Sequence, residues 1–155
     1  MLQQPYAGLQ KRTIRALSEE RVADLLEGRG SGYALAAELN HYPGPKHVLE
    51  LATELHLSQE QEQVAHDLFT GMDQNAQELG RQLVMLETEM DQSFRLGEMT
   101  ENTLNHATSQ IASIEGQLRM AHLVTHLRMK AVLTTEQVAH YDQLRGYTED
   151  SSFPS

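Results

Sequence analysis

The chain has 155 residues, a length typical of one domain. Its 22 acidic and 12 basic residues give a formal net charge of −10, which argues against a nucleic-acid-binding protein, because such proteins neutralise phosphates with clustered Lys and Arg. The absence of cysteine excludes disulfide scaffolds, thiolate zinc sites, Fe–S clusters and cysteine nucleophiles, and no apolar run is long enough to span a membrane.

Residues 1–44 are predicted to form an N-terminal arm with short helices. Ser18, followed by two glutamates, is a suitable N-cap, and Gly28 ends the helix that it starts. A second short helical piece is expected over 33–39. The segment 40–45 contains two prolines and a glycine, so it is the clearest break in the chain and marks the end of the arm.

Residues 45–147 carry a strongly helical pattern. A short amphipathic helix is expected over 48–55, followed by long helices over 58–96 and 100–133, in which apolar residues recur every three or four positions. Two long helices joined by a tight turn must be antiparallel. The sequence therefore predicts an all-α fold, in which a long antiparallel helical hairpin is flanked by short helices.

Two similar pentapeptides stand where one helix ends and the next begins, LSQEQ at 57–61 and LTTEQ at 133–137. In each, a Ser or Thr hydroxyl can cap the backbone N–H three residues on, and the Gln at that position can reach back. The residues that define these two capping boxes are Leu57, Ser58, Gln61, Leu133, Thr134 and Gln137. A short last helix follows the second pentapeptide, and residues 148–155 are expected to be a flexible tail.

The order of short, long, long and short helices with paired pentapeptides resembles the Spy/CpxP-like envelope proteins and the related periplasmic heavy-metal sensors. Those families share a long helical hairpin and paired LTxxQ motifs, which the second pentapeptide matches fully and the first matches with Ser58 in place of Thr. The resemblance covers residues 45–147 and implies a non-enzymatic periplasmic protein of the stress response, often a dimer, that senses metal or holds unfolded clients. No signal peptide is recognised in the sequence.

His122 and His126 are the first candidate metal ligands, because residues four apart on a helix share a face, and Met129 lies one turn further. A pair of imidazoles at this spacing can bind Zn²⁺, Ni²⁺, Co²⁺ or Cu²⁺ but needs further ligands. The first short helix of the 45–147 domain offers His47 and Glu50, which share a face. They would complete the site if that helix folds back over the open end of the hairpin.

Two classes of function stay open. In the first, the protein binds a transition metal and responds by changing its dimer or an envelope partner. In the second, the histidines are structural, and the protein is an ATP-independent chaperone or envelope-stress adaptor that uses an apolar hairpin surface. A metalloprotease is not indicated, because Leu123 stands where the HExxH motif requires its Glu, and no enzyme is expected. A homodimer is expected, because a lone hairpin cannot cover both faces of its helices.

Overall fold

The computed structural model describes residues 4–148, and this part of the chain is all-helical, with no strand. Its α-helices, in chain order, are α1 (Glu19–Glu27), α2 (Leu35–Glu38), α3 (Pro45–Glu50), α4 (Gln59–Arg95), α5 (Glu101–Val132) and α6 (Thr135–Arg145). The two longest, α4 and α5, have 37 and 32 residues and pack together. The predictions of an all-helical chain and of two long helices are confirmed for the described residues.

Within residues 4–148, no helix is both long and apolar enough to cross a membrane. The flexible tail expected over 148–155 lies, apart from Thr148, outside the described residues.

The chain forms two compact units, each of which draws on both long helices. Among the described residues, unit 1 comprises 4–31 together with Gln74–Leu118, and unit 2 comprises Gly32–Asp73 together with 119–148. The division therefore falls between α1 and α2, inside α4 and inside α5.

Unit 1 depends on a close approach of α1 to α4. Leu25 of α1 is only 2% exposed, and a Cβ at Gly80 of α4 would lie 1.8 Å from the Leu25 carbonyl oxygen. Only glycine lets the two backbones come this close. The start of α1 is capped by Ser18, whose hydroxyl accepts the backbone N–H three residues on, and its end is closed by Gly28 at a φ of 73°.

The segment that precedes α1 also contacts α4 within unit 1. Ile14 is buried, and the backbone N–H of Arg15 donates to Asp91 Oδ1 at 3.0 Å. The Arg15 guanidinium donates to the other oxygen of the same carboxylate at 3.2 Å. Two hydrogen bonds to one carboxylate, one of them within an ion pair, thus hold this segment to α4.

Unit 2 has an apolar core to which α3, α4, α5 and α6 all contribute. Its fully or almost fully buried members are Val48, Leu55, Ala65, Met129 and Tyr141. The chain between α3 and α4 is not the helix expected over 48–55, because α3 ends at Glu50 and turns follow up to His56. His56 has a φ of 53°, and this left-handed residue lets the N–H of Leu57 return to the carbonyl of Ala52 at 3.1 Å, which ends the helical path.

Both pentapeptides form capping boxes. The Ser58 hydroxyl accepts the N–H of Gln61 at 3.1 Å, and the Gln61 side chain accepts the N–H of Ser58 at 2.9 Å. Thr134 and Gln137 repeat this exchange at 3.1 and 2.9 Å. The starts of α4 and α6 are therefore closed in the same way.

The two capping glutamines also bond to each other within unit 2. Gln61 Nε2 donates to Gln137 Oε1 at 2.8 Å, and Gln137 Nε2 donates to Gln61 Oε1 at 3.0 Å. Gln61 further donates to the carbonyl of Val132, and Gln137 donates to the carbonyl of Leu55. Each glutamine side chain thus caps the start of its own helix and also donates to a carbonyl that lies just before the other pentapeptide.

Candidate functional site

His122 and His126 lie one turn apart on α5 and face the interior of unit 2, where they are 3% and 8% exposed. Between them, the Thr125 hydroxyl donates to the carbonyl of His122 at 2.7 Å, so this polar group is satisfied within the helix. The i, i+4 spacing and the burial of both positions bring two imidazoles to one face of α5.

The His122 ring stacks on Tyr33, with ring centroids 5.8 Å apart and an interplanar angle of 14°. Its Nε2 is buried without a hydrogen-bond partner. Burial lowers the pKa of His122, and the neighbouring His126 lowers it further by charge repulsion. His122 is therefore neutral at pH 7, which is the form of imidazole that binds metals.

The His126 ring is oriented by the backbone of the α2–α3 connection. Its Nδ1 lies 2.6 Å from the carbonyl oxygen of Tyr42, and because a carbonyl only accepts, Nδ1 carries the proton and donates it. In the neutral ring this leaves the lone pair on Nε2. Histidines that bind metals usually donate their second nitrogen to a carbonyl or carboxylate in this way, which fixes the tautomer and the ring orientation.

Glu38, at the end of α2, is a carboxylate only 7% exposed that lies beside His126. Its Oε2 is 3.6 Å from His126 Nδ1 and has no hydrogen-bond partner of its own. Its Oε1 accepts hydrogen bonds from the hydroxyls of Tyr141 and Tyr147. Arg145 Nε lies 3.9 Å from the same oxygen. The carboxylate is thus held by one oxygen, while the other is left without a donor.

The two tyrosines act as fixed donors to this carboxylate. Burial raises the pKa of Tyr141, and its hydrogen bond to Glu38 raises it further. Burial also raises the pKa of Tyr147. Both hydroxyls therefore remain protonated at any physiological pH.

The other predicted ligands are placed elsewhere in unit 2. His47 and Glu50 lie on α3 and pair with each other, Nδ1 to Oε2 at 3.0 Å, and the hydrogen bond from His47 lowers the pKa of Glu50. Met129 is fully buried in the apolar core. Within residues 4–148, no three His, Asp or Glu side chains are grouped so that they could hold a metal ion. The structure therefore brings together His122 and His126 of the predicted set.

Sequence reasoning missed Glu38, Tyr42 and the tyrosines that hold the carboxylate. The one available signal was that Glu38 is the only charged residue in an otherwise apolar stretch, 33–39. Tyr141 and Tyr147 stand about a hundred residues away in the sequence, so their contacts with Glu38 could not be read from spacing.

No family model matches the chain, and no curated protein or solved structure matches it either. The resemblance to Spy/CpxP-like proteins rests on the two pentapeptides and the order of helix lengths.

Proposed function

We propose that this is a non-enzymatic protein that binds a divalent transition metal, Zn²⁺, Ni²⁺, Co²⁺ or Cu²⁺, through His122 and His126. The observation that carries the proposal is the state of the two rings. His122 Nε2 is buried without a partner, and His126 is held by the Tyr42 carbonyl in the tautomer that presents Nε2. A buried polar nitrogen without a partner costs stability, and a bound metal would remove that cost.

Glu38 supports a cation at this site. An ion brought into the interior of unit 2 needs a compensating negative charge, because burial of an isolated charge is costly. The Glu38 carboxylate is buried, lies 3.6 Å from His126 Nδ1 and has one oxygen without a hydrogen-bond partner. His47, Glu50 and Met129 remain candidates for further ligand positions, and the first two would have to give up their mutual contact to join.

A sensing role in the periplasm is the function that the resemblance supports for such a site. The two long helices that pack together and the paired capping boxes are consistent with the helical hairpin of the Spy/CpxP type. In this proposal, metal binding to α5 would alter the contacts that the helix makes with α2, α3 and α6 inside unit 2.

The test is thermal unfolding of the metal-stripped chain with and without each of the four ions. A ligand that binds only the folded state stabilises it by about 2.7 kcal/mol at a hundredfold excess over its dissociation constant. The shift should disappear in His122→Gln/His126→Gln and persist in His66→Gln/His106→Gln, a control pair of exposed histidines. The proposal fails if no ion shifts the transition, or if the His122/His126 variant shifts as much as the control.

A second candidate, a client-holding protein without metal, is favoured by a groove in unit 1. The groove has a volume of about 320 Å³ and is lined by Gln82, Met85, Leu86, Gln110, Ser113 and Ile114. Met85, one of the side chains that line this groove, is 59% exposed. Suppression of the aggregation of a chemically denatured client, lost in Met85→Lys but kept in His122→Gln/His126→Gln, would favour this function.

A homodimer is supported by an apolar stripe on α5 in unit 2. Met120 and Leu127 stand two turns apart and are exposed, with the half-buried Leu123 between them. We propose that a second copy covers this stripe. Light scattering on a size-exclusion column tests the proposal, because Leu127→Lys should convert a dimer into a monomer, whereas Arg128→Lys, at the next position, which is also exposed, should not.

A further inference from the structure

Residues 38–45, here called the strap, run from the end of α2 to the start of α3 and pass beside His126. Pro43, Gly44 and Pro45 of the strap are buried. The backbone N–H groups of Leu39, Asn40 and Tyr42 bond to carbonyls of α2. His41 adopts a φ of 72°, a left-handed conformation that is unfavourable for a residue other than glycine. The N–H of Tyr42 returns past His41 to the carbonyl of Ala37 at 3.1 Å, so this left-handed residue closes the end of α2.

Five contacts tie the strap to α5, to α6 and to Tyr147, which lies just beyond α6. Glu38 accepts from the hydroxyls of Tyr141 and Tyr147, and His41 contacts Asp142 at 2.6 Å. The Tyr42 ring lies 3.9 Å from Lys130 Nζ, and the Tyr42 carbonyl accepts from His126 at 2.6 Å. Asp142 is buried. Its Oδ2 contacts His41, whereas its Oδ1 has no hydrogen-bond partner. Side chains from two helices thus converge on one short segment.

The backbone of Gly44 lies directly against the edge of the His126 ring. A Cβ at this position would be 2.7 Å from Cε1 and 2.8 Å from Nε2 of His126. A zinc ion bound to a histidine lies about 2.0–2.1 Å from the nitrogen. The strap therefore borders the space that an ion on Nε2 needs.

We propose that the strap controls access to the imidazoles of His122 and His126, and that it must move away from His126 before an ion can reach Nε2. The identity of the ion rests on the proposed function, whereas the control of access follows from the placement of Gly44 and the five contacts that tie the strap. Movement of the strap would break the His41–Asp142 contact, so occupation of the site would be transmitted to α6.

Acylation of the histidines by diethyl pyrocarbonate, mapped by mass spectrometry on the metal-free chain, tests the proposal without any ion. In the wild-type chain, His122 and His126 should react at least about tenfold more slowly than the exposed His66 and His106, because they react only when the strap opens. Gly44→Ala places a methyl group against the His126 ring and should raise the reactivity of both buried histidines severalfold. Asp142→Asn weakens the contact with His41 without adding bulk, and it should also raise the reactivity of His122 and His126.

The matched control is Thr134→Ala, which destabilises unit 2 through the α6 cap and does not touch the strap. The proposal is overturned if Gly44→Ala and Asp142→Asn raise the reactivity of His122 and His126 no more than Thr134→Ala does. It is equally overturned if the two buried histidines of the wild-type chain react as fast as His66.

A second measurement separates this proposal from the metal-binding one. The rate at which Zn²⁺ associates should rise in Gly44→Ala if both proposals hold. Faster acylation in Gly44→Ala with no Zn²⁺ binding in any variant would support the strap and refute the metal site. Equal acylation in wild type and variant, with Zn²⁺ binding at the same rate to both, would support the site and refute the strap.

Discussion

Unit 1 and unit 2 share the same two long helices but are stabilised in different ways. Unit 1 brings α1 against α4 through Gly80 and Leu25, and its Arg15–Asp91 ion pair lies at a partly exposed position. In the described part of the chain, every polar or charged residue that is buried belongs to unit 2, namely Glu38, His122, Thr125, His126 and Asp142. One unit is thus held by close packing, and the other encloses a polar network.

The difference matters because a buried polar atom without a partner lowers stability, and apolar packing would avoid that loss. Three such atoms stand without partners in unit 2, Glu38 Oε2, His122 Nε2 and Asp142 Oδ1, and one in the described part of unit 1, Glu87 Oε2. The three in unit 2 lie in the same unit as the left-handed His41, and the proposed binding site rests on them.

The largest expected effect concerns the packing of unit 1. Gly80→Ala puts a methyl group 1.8 Å from a backbone oxygen that cannot rotate away, so the helices must separate. We expect a loss of about 3 kcal/mol in the free energy of unfolding, measured by urea titration. Gly116→Ala on α5, where a Cβ would meet nothing within 4 Å, should instead be neutral or stabilising. Equal effects of the two variants would show that close packing does not hold unit 1.

The next effect concerns the polar network of unit 2. Tyr141→Phe keeps the ring in the core but removes the hydroxyl that donates to Glu38. We expect a loss of about 2 kcal/mol, the usual range for a hydrogen bond to a charged group. Tyr6→Phe, at an exposed position, is the control and should leave the urea midpoint unchanged. A Tyr141→Phe variant as stable as wild type would mean that the network adds nothing to unit 2.

A smaller effect is expected at the helix cap of unit 2. Thr134→Ala removes the hydroxyl that accepts the N–H of Gln137 and should lower stability by about 1 kcal/mol, whereas Thr134→Ser should preserve the cap. Thermal unfolding followed by circular dichroism measures the difference. If Ser and Ala at this position lower the melting temperature equally, the hydroxyl bond is not what stabilises α6.

The smallest expected effect is a pH dependence of stability that arises from Glu87 in unit 1. Burial raises the pKa of Glu87 in unit 1, and repulsion from Glu115 and Asp91 raises it further. Because the folded chain holds this proton more tightly than the unfolded chain does, the ionised carboxylate lowers stability as the pH rises through the folded pKa. Glu87→Gln should therefore stabilise the chain at pH 7, by less than about 1 kcal/mol given its partial exposure.

This advantage should disappear at pH values below the pKa of Glu87, where the wild-type carboxyl is also neutral. Glu89→Gln, an exposed neighbour, serves as the control. Melting curves collected from acidic to neutral pH measure both variants. A gain that is the same at every pH would show that charge is not its cause.

The helices of this protein could be predicted because they follow from local rules. The three- and four-residue spacing of α4 and α5 and the caps at Ser18, Ser58 and Thr134 are all contained in short stretches of sequence. The pairing of His122 and His126 followed from the same helical geometry. The end of α3 could not be predicted, because apolar residues continue at helical spacing to Leu55, whereas the helix ends at Glu50 and Leu51 leaves the helical conformation.

The side chains that surround His122 and His126 could not be predicted from the neighbouring sequence. Glu38 meets Tyr141 across 103 positions, and His41 meets Asp142 across 101. A carboxylate in a short helix is normally solvated, so only the complete packing of unit 2 shows that this one is buried. The metal ligands suggested on α3 illustrate the same limit, since spacing placed His47 and Glu50 on one face and the structure pairs them with each other.

The exchanged amides of Gln61 and Gln137 have a consequence for how unit 2 opens. Each side chain bonds to the other and to a carbonyl near the other pentapeptide, so neither helix start can unravel without breaking bonds of its counterpart. The beginning of α4 and the beginning of α6 should therefore exchange their backbone amide hydrogens with deuterium through one shared opening event. The starts of α4 and α6, which in most helices fray first, would here open together as a single cooperative element.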